Sequence, residues 1–354
     1  MSVGLSLFLL AVSFGLILAA AELFTNGIEW FGKKLQLAEG AVGSVLAAVG
    51  TALPETSIAI VAILSGEKSR DVGIGAILGA PMMLATLAMC ITGLAVIVFA
   101  RAGLRSNEII ADHKVVGRDL RAFFLVYVVA IAASFIPQLV GRFVPGLNES
   151  GVNRVSYIFK VLIAAFLVGA YVRYVLQTFR CEGGTCENHD TRPLHFHRKA
   201  ETPRLRIVSL QVIAGLIALV AGAKLFVVAV GAISEPLGVS SLVLGIIITP
   251  IATELPEKFN SITWIRQRKD TLALGNITGA MVFQSSITPA IGILFTPWDL
   301  DKKAIASAVI AIAATVVAWG EMTWRKRLSP YSLLVGGLFY ALYLIYVFWL
   351  ARIW

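Results

Sequence analysis

The chain has 354 residues, 58% of them hydrophobic and only 14% charged, with a net charge of +9. A typical soluble domain is about a quarter charged, and here apolar runs long enough to cross a bilayer recur from one end to the other. This balance excludes a water-soluble core. The basic excess is spread over short loops instead of being gathered with aromatics in a groove, which excludes a nucleic-acid surface. No phosphate-binding loop, H-E-x-x-H pair or nucleophile elbow occurs, so neither a nucleotide-driven pump nor a membrane enzyme is indicated, and no cofactor is expected.

Ten apolar segments are predicted, over 3–31, 41–64, 72–100, 120–141, 155–179, 205–233, 239–265, 271–296, 303–323 and 330–351. The first opens with Ser2–Ala21 but lacks a basic leader. Glu22, Asn26 and Glu29 follow where a cleavage site would need small residues, so it is expected to be a retained helix. The first and sixth segments are long enough to require tilting. Loops after odd-numbered segments carry 19 Lys and Arg, against 6 after even-numbered ones. The positive-inside rule then makes the odd loops cytoplasmic and puts both termini outside, in a plasma (inner) membrane protein.

The two halves match. At an offset of 202, Ala21, Leu23, Phe24, Leu35, Gly43, Thr51, Leu53, Pro54 and Glu55 recur as Ala223, Leu225, Phe226, Leu237, Gly245, Thr253, Leu255, Pro256 and Glu257. At an offset of 200, Gly75-x-Ile77-x-Gly79-Ala80 recurs as Gly275-x-Ile277-x-Gly279-Ala280. The loop between these motifs holds Lys68 in one half and Arg268 in the other, and the charge rule puts the two loops on opposite sides. The expected fold is therefore an all-α membrane protein of about ten transmembrane helices, arranged as two inverted five-helix repeats. Residues 1–179 form the first repeat, 180–204 a cytoplasmic linker and 205–354 the second repeat.

Each repeat sets Thr-x-Leu-Pro-Glu in mid-helix, at Thr51–Glu55 and Thr253–Glu257. Proline removes a backbone donor, so both helices are expected to open there and to offer carbonyl and hydroxyl oxygens beside a carboxylate. Two mid-membrane glutamates repel each other, and a divalent cation relieves that repulsion. The alternative is that the glutamates cap interrupted helices or pair with Lys224 or Lys258. Glu254 adds a further acid, as a ligand or proton carrier, or else paired with Lys258. Thr249, Ser285 and Ser286 add hydroxyls that could serve the site or merely pack helices. Glu22 and Lys224, equivalent in the two halves, either pair or snorkel separately.

The paired motifs, each followed by a Gly-rich helix, resemble the alpha repeats of the calcium:cation antiporter superfamily, of which this is a divergent, sodium/calcium exchanger-like member. Gly222-Ala223-Lys224-Leu225 and Leu237-Gly238-Val239-Ser240 extend the resemblance, which is strongest over 20–93 and 221–294. It implies ten helices, alternating access by sliding of the first and sixth, and a Ca²⁺ site centred on Glu55 and Glu257 with oxygens from Thr51 and Thr253. The usual motif serines are Ala52 and Glu254 here, and two polar positions of the Gly-rich helices read Leu84 and Gln284. Gln284 is more like the proton-coupled branches. The implied function is antiport of Ca²⁺, or a related divalent cation, against Na⁺ or H⁺; the alternative is a monovalent cation/proton antiporter on the same scaffold. Inorganic cations and the lipid bilayer are the expected partners.

The linker contains Cys181, Cys186, His189, His195 and His197. Thiolate and imidazole suit zinc or another soft metal, although the spacing matches no standard finger. A flexible linker with incidental Cys and His is the other reading.

Overall fold

In a bilayer every backbone N–H and C=O must be paired within the protein, and a long apolar segment can do this alone only as a helix. The computed structural model describes residues 2–34, 47–144, 148–181, 193–198 and 202–349; among these there is no strand, only one isolated bridge between Ile109 and Leu328. The first half contains α1 (Val3–Lys34), α2 (Ala47–Leu64), α3 (Glu67–Met83), α4 (Met89–Arg101), α5 (His113–Ala132), α6 (Ile136–Phe143) and α7 (Glu149–Cys181). The second contains α8 (Leu205–Leu237), α9 (Ser241–Thr253), α10 (Leu255–Arg266), α11 (Asp270–Phe295), α12 (Lys302–Arg325) and α13 (Pro330–Phe348).

A π-helical segment, Leu84–Ala88, joins α3 to α4, and a 3-10 turn, Ala133–Phe135, joins α5 to α6. With α9 and α10 also taken as one crossing, ten crossings result, in the places the apolar runs predict. Among the described residues, eight spans are long and apolar enough to cross a membrane, and Ala52–Leu64 and Ser241–Ile251 are the shorter apolar helices of the other two crossings. The fourth crossing starts earlier than its apolar run. Asp112 caps it by accepting from the Lys114 N–H at 2.8 Å, which draws the polar stretch His113–Asp119 into the helix. Helices α1, α7 and α8 have 32, 33 and 33 residues. At about 1.5 Å per residue each exceeds a hydrocarbon core of about 30 Å, so the fifth crossing is as long as the first and sixth.

The packing repeats between halves. Helix α1 lies along α8; α9 packs on α3 as α11 packs on α2; α13 packs on α4 as α7 packs on α11; and α12 packs on α3 as α5 packs on α11. The glycine motif explains the closest of these contacts. A Cβ at Gly79 would stand 2.3 Å from the Ile246 carbonyl oxygen, and one at Gly75 2.4 Å from that of Leu242. From the opposite side, a Cβ at Gly245 would meet the Val72 carbonyl at 2.8 Å. Backbone therefore rests on backbone where the two repeats touch.

The expectation that both proline-bearing helices open is met in one half only. The chain breaks between α9 and α10, whereas α2 continues through Pro54. The second repeat carries Pro250 as well as Pro256, so two backbone donors are missing within two turns, against one in α2.

Candidate functional site

The break sets Glu254 between two helix ends. Its φ and ψ are −98° and 4°, outside the helical basin, and its N–H still donates to the Pro250 carbonyl at 3.1 Å. The next helix starts from it, the Lys258 N–H donating to the Glu254 carbonyl at 3.2 Å. Glu254 and Lys258 are thus one turn apart and project together. Their side chains pair at 3.5 Å, with Glu254 1% and Lys258 6% exposed. The arrangement matches the pairing alternative for Glu254 rather than a free carboxylate.

Lys258 also reaches across to the first repeat, where its ammonium lies 2.9 Å from the Met83 sulfur at the end of α3. Glu55 of α2 is 2% exposed, and neither carboxylate oxygen has a hydrogen-bond partner among the described residues. Thr253 and Lys258 of the second repeat are near enough to influence it electrostatically, which brings the two motifs to one region. The Thr253 hydroxyl itself donates to the Thr249 carbonyl at 3.0 Å, which leaves its lone pairs available. A buried carboxylate is unfavourable by several kcal/mol unless hydrogen-bond donors or a cation compensate it.

The remaining predicted groups on α9 and α11 that are described are all buried. Gln284 of α11 is 3% exposed and its Oε1 has no partner among the described residues; the same holds for the hydroxyls of Thr249 and Thr288. Ser285 and Ser286 turn their protons onto the Val282 carbonyl, at 3.1 and 2.6 Å. Leu84, standing where a polar ligand is usual, is fully enclosed at the start of the π-helical segment. The side chains of Thr51 and Glu257 lie outside the described residues, although the backbone of each is helical.

Glu22 and Lys224 form no pair among the described residues. Glu22 instead meets His195 Nε2 at 3.5 Å. That contact belongs to a docked piece of the linker. Asn26 Oδ1 accepts from the His195 N–H at 3.2 Å and from Gln211 Nε2 at 2.9 Å, while Gln211 Oε1 accepts from the Phe196 N–H at 2.9 Å. Leu194 is buried with Trp30 and Val208, so this turn bridges α1 and α8. His197 is exposed on the same turn. Cys186, His189 and the Cys181 side chain lie outside the described residues, and among the described residues no group of three His, Cys, Asp or Glu could hold a metal.

Several buried charges were not singled out from the sequence. Asp119 of α5 is 2% exposed, accepts from Thr278 Oγ1 of α11 at 2.8 Å and pairs with Arg118 at 3.1 Å. Lys160 of α7 donates to the Pro297 carbonyl beside Asp299, in a cavity of about 380 Å³ also lined by Gln138 and Ser156. Arg105 and Asp270 form a two-pronged pair, both bonds 2.7 Å, with each side chain 2% exposed. Lys160 was legible as a charge within an apolar run. Asp119 was hidden because its polar approach reads as loop until the Asp112 cap is seen.

The family model described as "Sodium/calcium exchanger protein" matches residues 5–180 and 207–352. The inner membrane protein YrbG of Escherichia coli is 26% identical over 319 residues, covering 88% of this chain and 87% of that protein. The putative antiporter CaxA of Alkalimonas amylolytica is 25% identical over 305 residues, covering 85% and 84%. Among solved structures, the H⁺/Ca²⁺ exchanger CAX superposes with a TM-score of 0.72 at 14% identity, over 96% of this chain and 81% of that one. The sodium-calcium exchanger NCX_Mj superposes with a TM-score of 0.57 at 17% identity, over 97% and 99%. With the family match spanning nearly all of both repeats and the exchanger fold beneath it, the chain belongs to the sodium/calcium exchanger protein family: it is an integral membrane cation exchanger, not an enzyme.

Proposed function

We propose that this exchanger carries Ca²⁺, or a related divalent cation, in one direction against H⁺ or Na⁺ in the other. The observation that carries the reading is Glu55: a buried carboxylate with no hydrogen-bond donor among the described residues, beside Thr253 and Lys258 of the other repeat. Glu55 and its repeat mate Glu257 are the central ligands. Two carboxylates balance a divalent charge, and Thr51, Thr253 and Gln284 supply neutral hard oxygens. Glu254 compensates Lys258 at the edge of the site. No cofactor takes part, and the linker metal site is not needed for this cycle.

Protons are favoured over sodium as the counter-ion. Leu84 removes an oxygen where a sodium ligand would be wanted, and Gln284 supplies an amide in place of a carboxylate. The same two residues motivate a monovalent cation/proton antiporter as the second reading. The odd-numbered loops face the cytoplasm of a plasma membrane protein, with both termini outside. Flux of radiolabelled Ca²⁺ into proteoliposomes under an imposed pH or Na⁺ gradient tests the assignment. Calcium movement driven by the pH gradient is expected; Na⁺ or K⁺ flux with no calcium movement under either gradient would establish the second reading instead.

A further inference from the structure

A cation and an anion that do not pair with each other share a cavity that the exchange cycle leaves unused. Lys160 of α7 is 8% exposed and donates to the Pro297 carbonyl. Asp299 lines the same cavity of about 380 Å³ but forms no ion pair with Lys160 among the described residues. Ser156, one turn before Lys160, also lines it; this residue is 3% exposed and its hydroxyl has no partner among the described residues. Asn153 and Tyr157, both exposed, add an amide and a phenol at the mouth. An ammonium has three donors, and the Pro297 carbonyl answers one of them. None of the lining residues belongs to the candidate cation site.

We infer that this cavity binds a bilayer phospholipid by a headgroup that carries both a phosphate and a primary ammonium, the phosphoethanolamine type. The spare Lys160 donors and the Ser156 hydroxyl are buried and suit phosphate oxygens; Asp299 is exposed and suits an ammonium at the mouth. Inorganic phosphate would be repelled by Asp299, and a bare cation by Lys160, whereas a zwitterion answers both charges. The volume lies within the range of about 300–1,000 Å³ usual for small-molecule pockets. Depth agrees as well. Lys160 lies five positions inside the apolar run that starts at 155, or about 8 Å at the helical rise. The headgroup layer on each side of the hydrocarbon is about 5–7 Å thick, and a lysine stem spans the difference by snorkelling. Tyr157, Ile158, Leu162 and Phe295 are exposed around these positions and give the acyl chains an apolar surface.

Native mass spectrometry of the purified, delipidated full-length protein tests this, with phosphatidylethanolamine, phosphatidylcholine or phosphatidylglycerol added at matched concentration. Wild type should retain phosphatidylethanolamine best, because choline offers Asp299 no N–H and phosphatidylglycerol offers it no cation. Lys160→Met should lower that retention about fivefold, the loss of one lysine's attraction for a phosphate. Asp299→Asn should reverse the preference toward phosphatidylglycerol, an outcome that a merely structural defect would not produce. Ser156→Ala removes no hydrogen bond among the described residues, so it should keep the wild-type Tm while weakening retention roughly threefold. That variant keeps the test decisive if Lys160→Met fails to fold. Equal retention of the three lipids by wild type, or an unchanged preference in both Ser156→Ala and Asp299→Asn, would overturn the inference. Soluble phosphoethanolamine that binds in a Lys160-dependent manner, with no lipid retained, would overturn the lipid assignment in favour of a free phosphate compound.

Discussion

Arg105 and Asp270 show how a single residue pair can tie the two repeats together outside the ion site. Asp270 receives both guanidinium prongs and the Ile110 N–H at 2.8 Å, while Arg105 also donates to the carbonyls of Ile265 and Glu108 at 2.8 and 2.6 Å. Every donor aimed into this pocket is answered by an acceptor, which is the condition under which a buried pair is stable and its half-removal costly. Asp270→Ala leaves the Arg105 charge buried and is expected to cost about 3–5 kcal/mol of stability. Arg105→Met combined with Asp270→Leu, by removing both charges, should recover part of that loss. Equilibrium unfolding in mixed micelles measures both, and an Asp270→Ala protein within about 1 kcal/mol of wild type would show that the pair is dispensable. At this scale the sequence was partly legible. A glutamate after Leu-Pro in each half is a local signal, and so is the Glu254–Lys258 spacing, whereas the contacts of Lys258 with Met83, Asp119 with Thr278 and Arg105 with Asp270 span 159 to 175 positions, and no local pattern announces them.

The elements carry the repeat symmetry unequally. In the first repeat the glycines of Gly75–Ala80 are needed because the backbone of α9 lies against α3. In the second, a Cβ at Gly275 meets nothing within 4 Å, and one at Gly279 comes no closer than 3.7 Å to the Tyr174 hydroxyl. Gly79→Ala should therefore force α3 and α9 apart, at about 1–3 kcal/mol, while Gly275→Ala should be neutral or slightly stabilising through its helix propensity. Thermal unfolding in detergent compares them; equal effects at the two positions would contradict the packing argument. The sequence motif alone could not distinguish these copies, because glycine reads the same whether it serves close packing or an open crevice. The helix break is a similar case. Pro54 and Pro256 stand at equivalent positions, yet only the second lies near another proline, and only there does the helix part. The π-helical segment after Pro81 has no sequence signature of its own, and it falls at Leu84, where the two repeats diverge in chemistry.

Over the whole molecule, the ten crossings and the pairing of halves were legible because hydropathy, loop charge and the 202-residue offset are independent signals that agree. Which helices touch was not, since every face of a membrane helix is apolar and periodicity no longer marks the buried side. The docked turn His195–His197, which bridges α1 and α8, was likewise invisible in a linker whose composition is simply polar. Inverted repeats predict that Lys68→Cys and Arg268→Cys, in an otherwise cysteine-free protein, are labelled by an impermeant maleimide from opposite faces of oriented vesicles. Labelling of both from one face would contradict the inversion. The site at the meeting of the repeats can be tested without knowing the counter-ion, by following equilibration of radiolabelled Ca²⁺ across proteoliposomes with equal unlabelled Ca²⁺ on both sides. Wild-type protein should exchange the label, and Glu55→Gln should fall to the rate of protein-free vesicles. A Glu55→Gln protein that exchanges calcium at the wild-type rate would contradict the account.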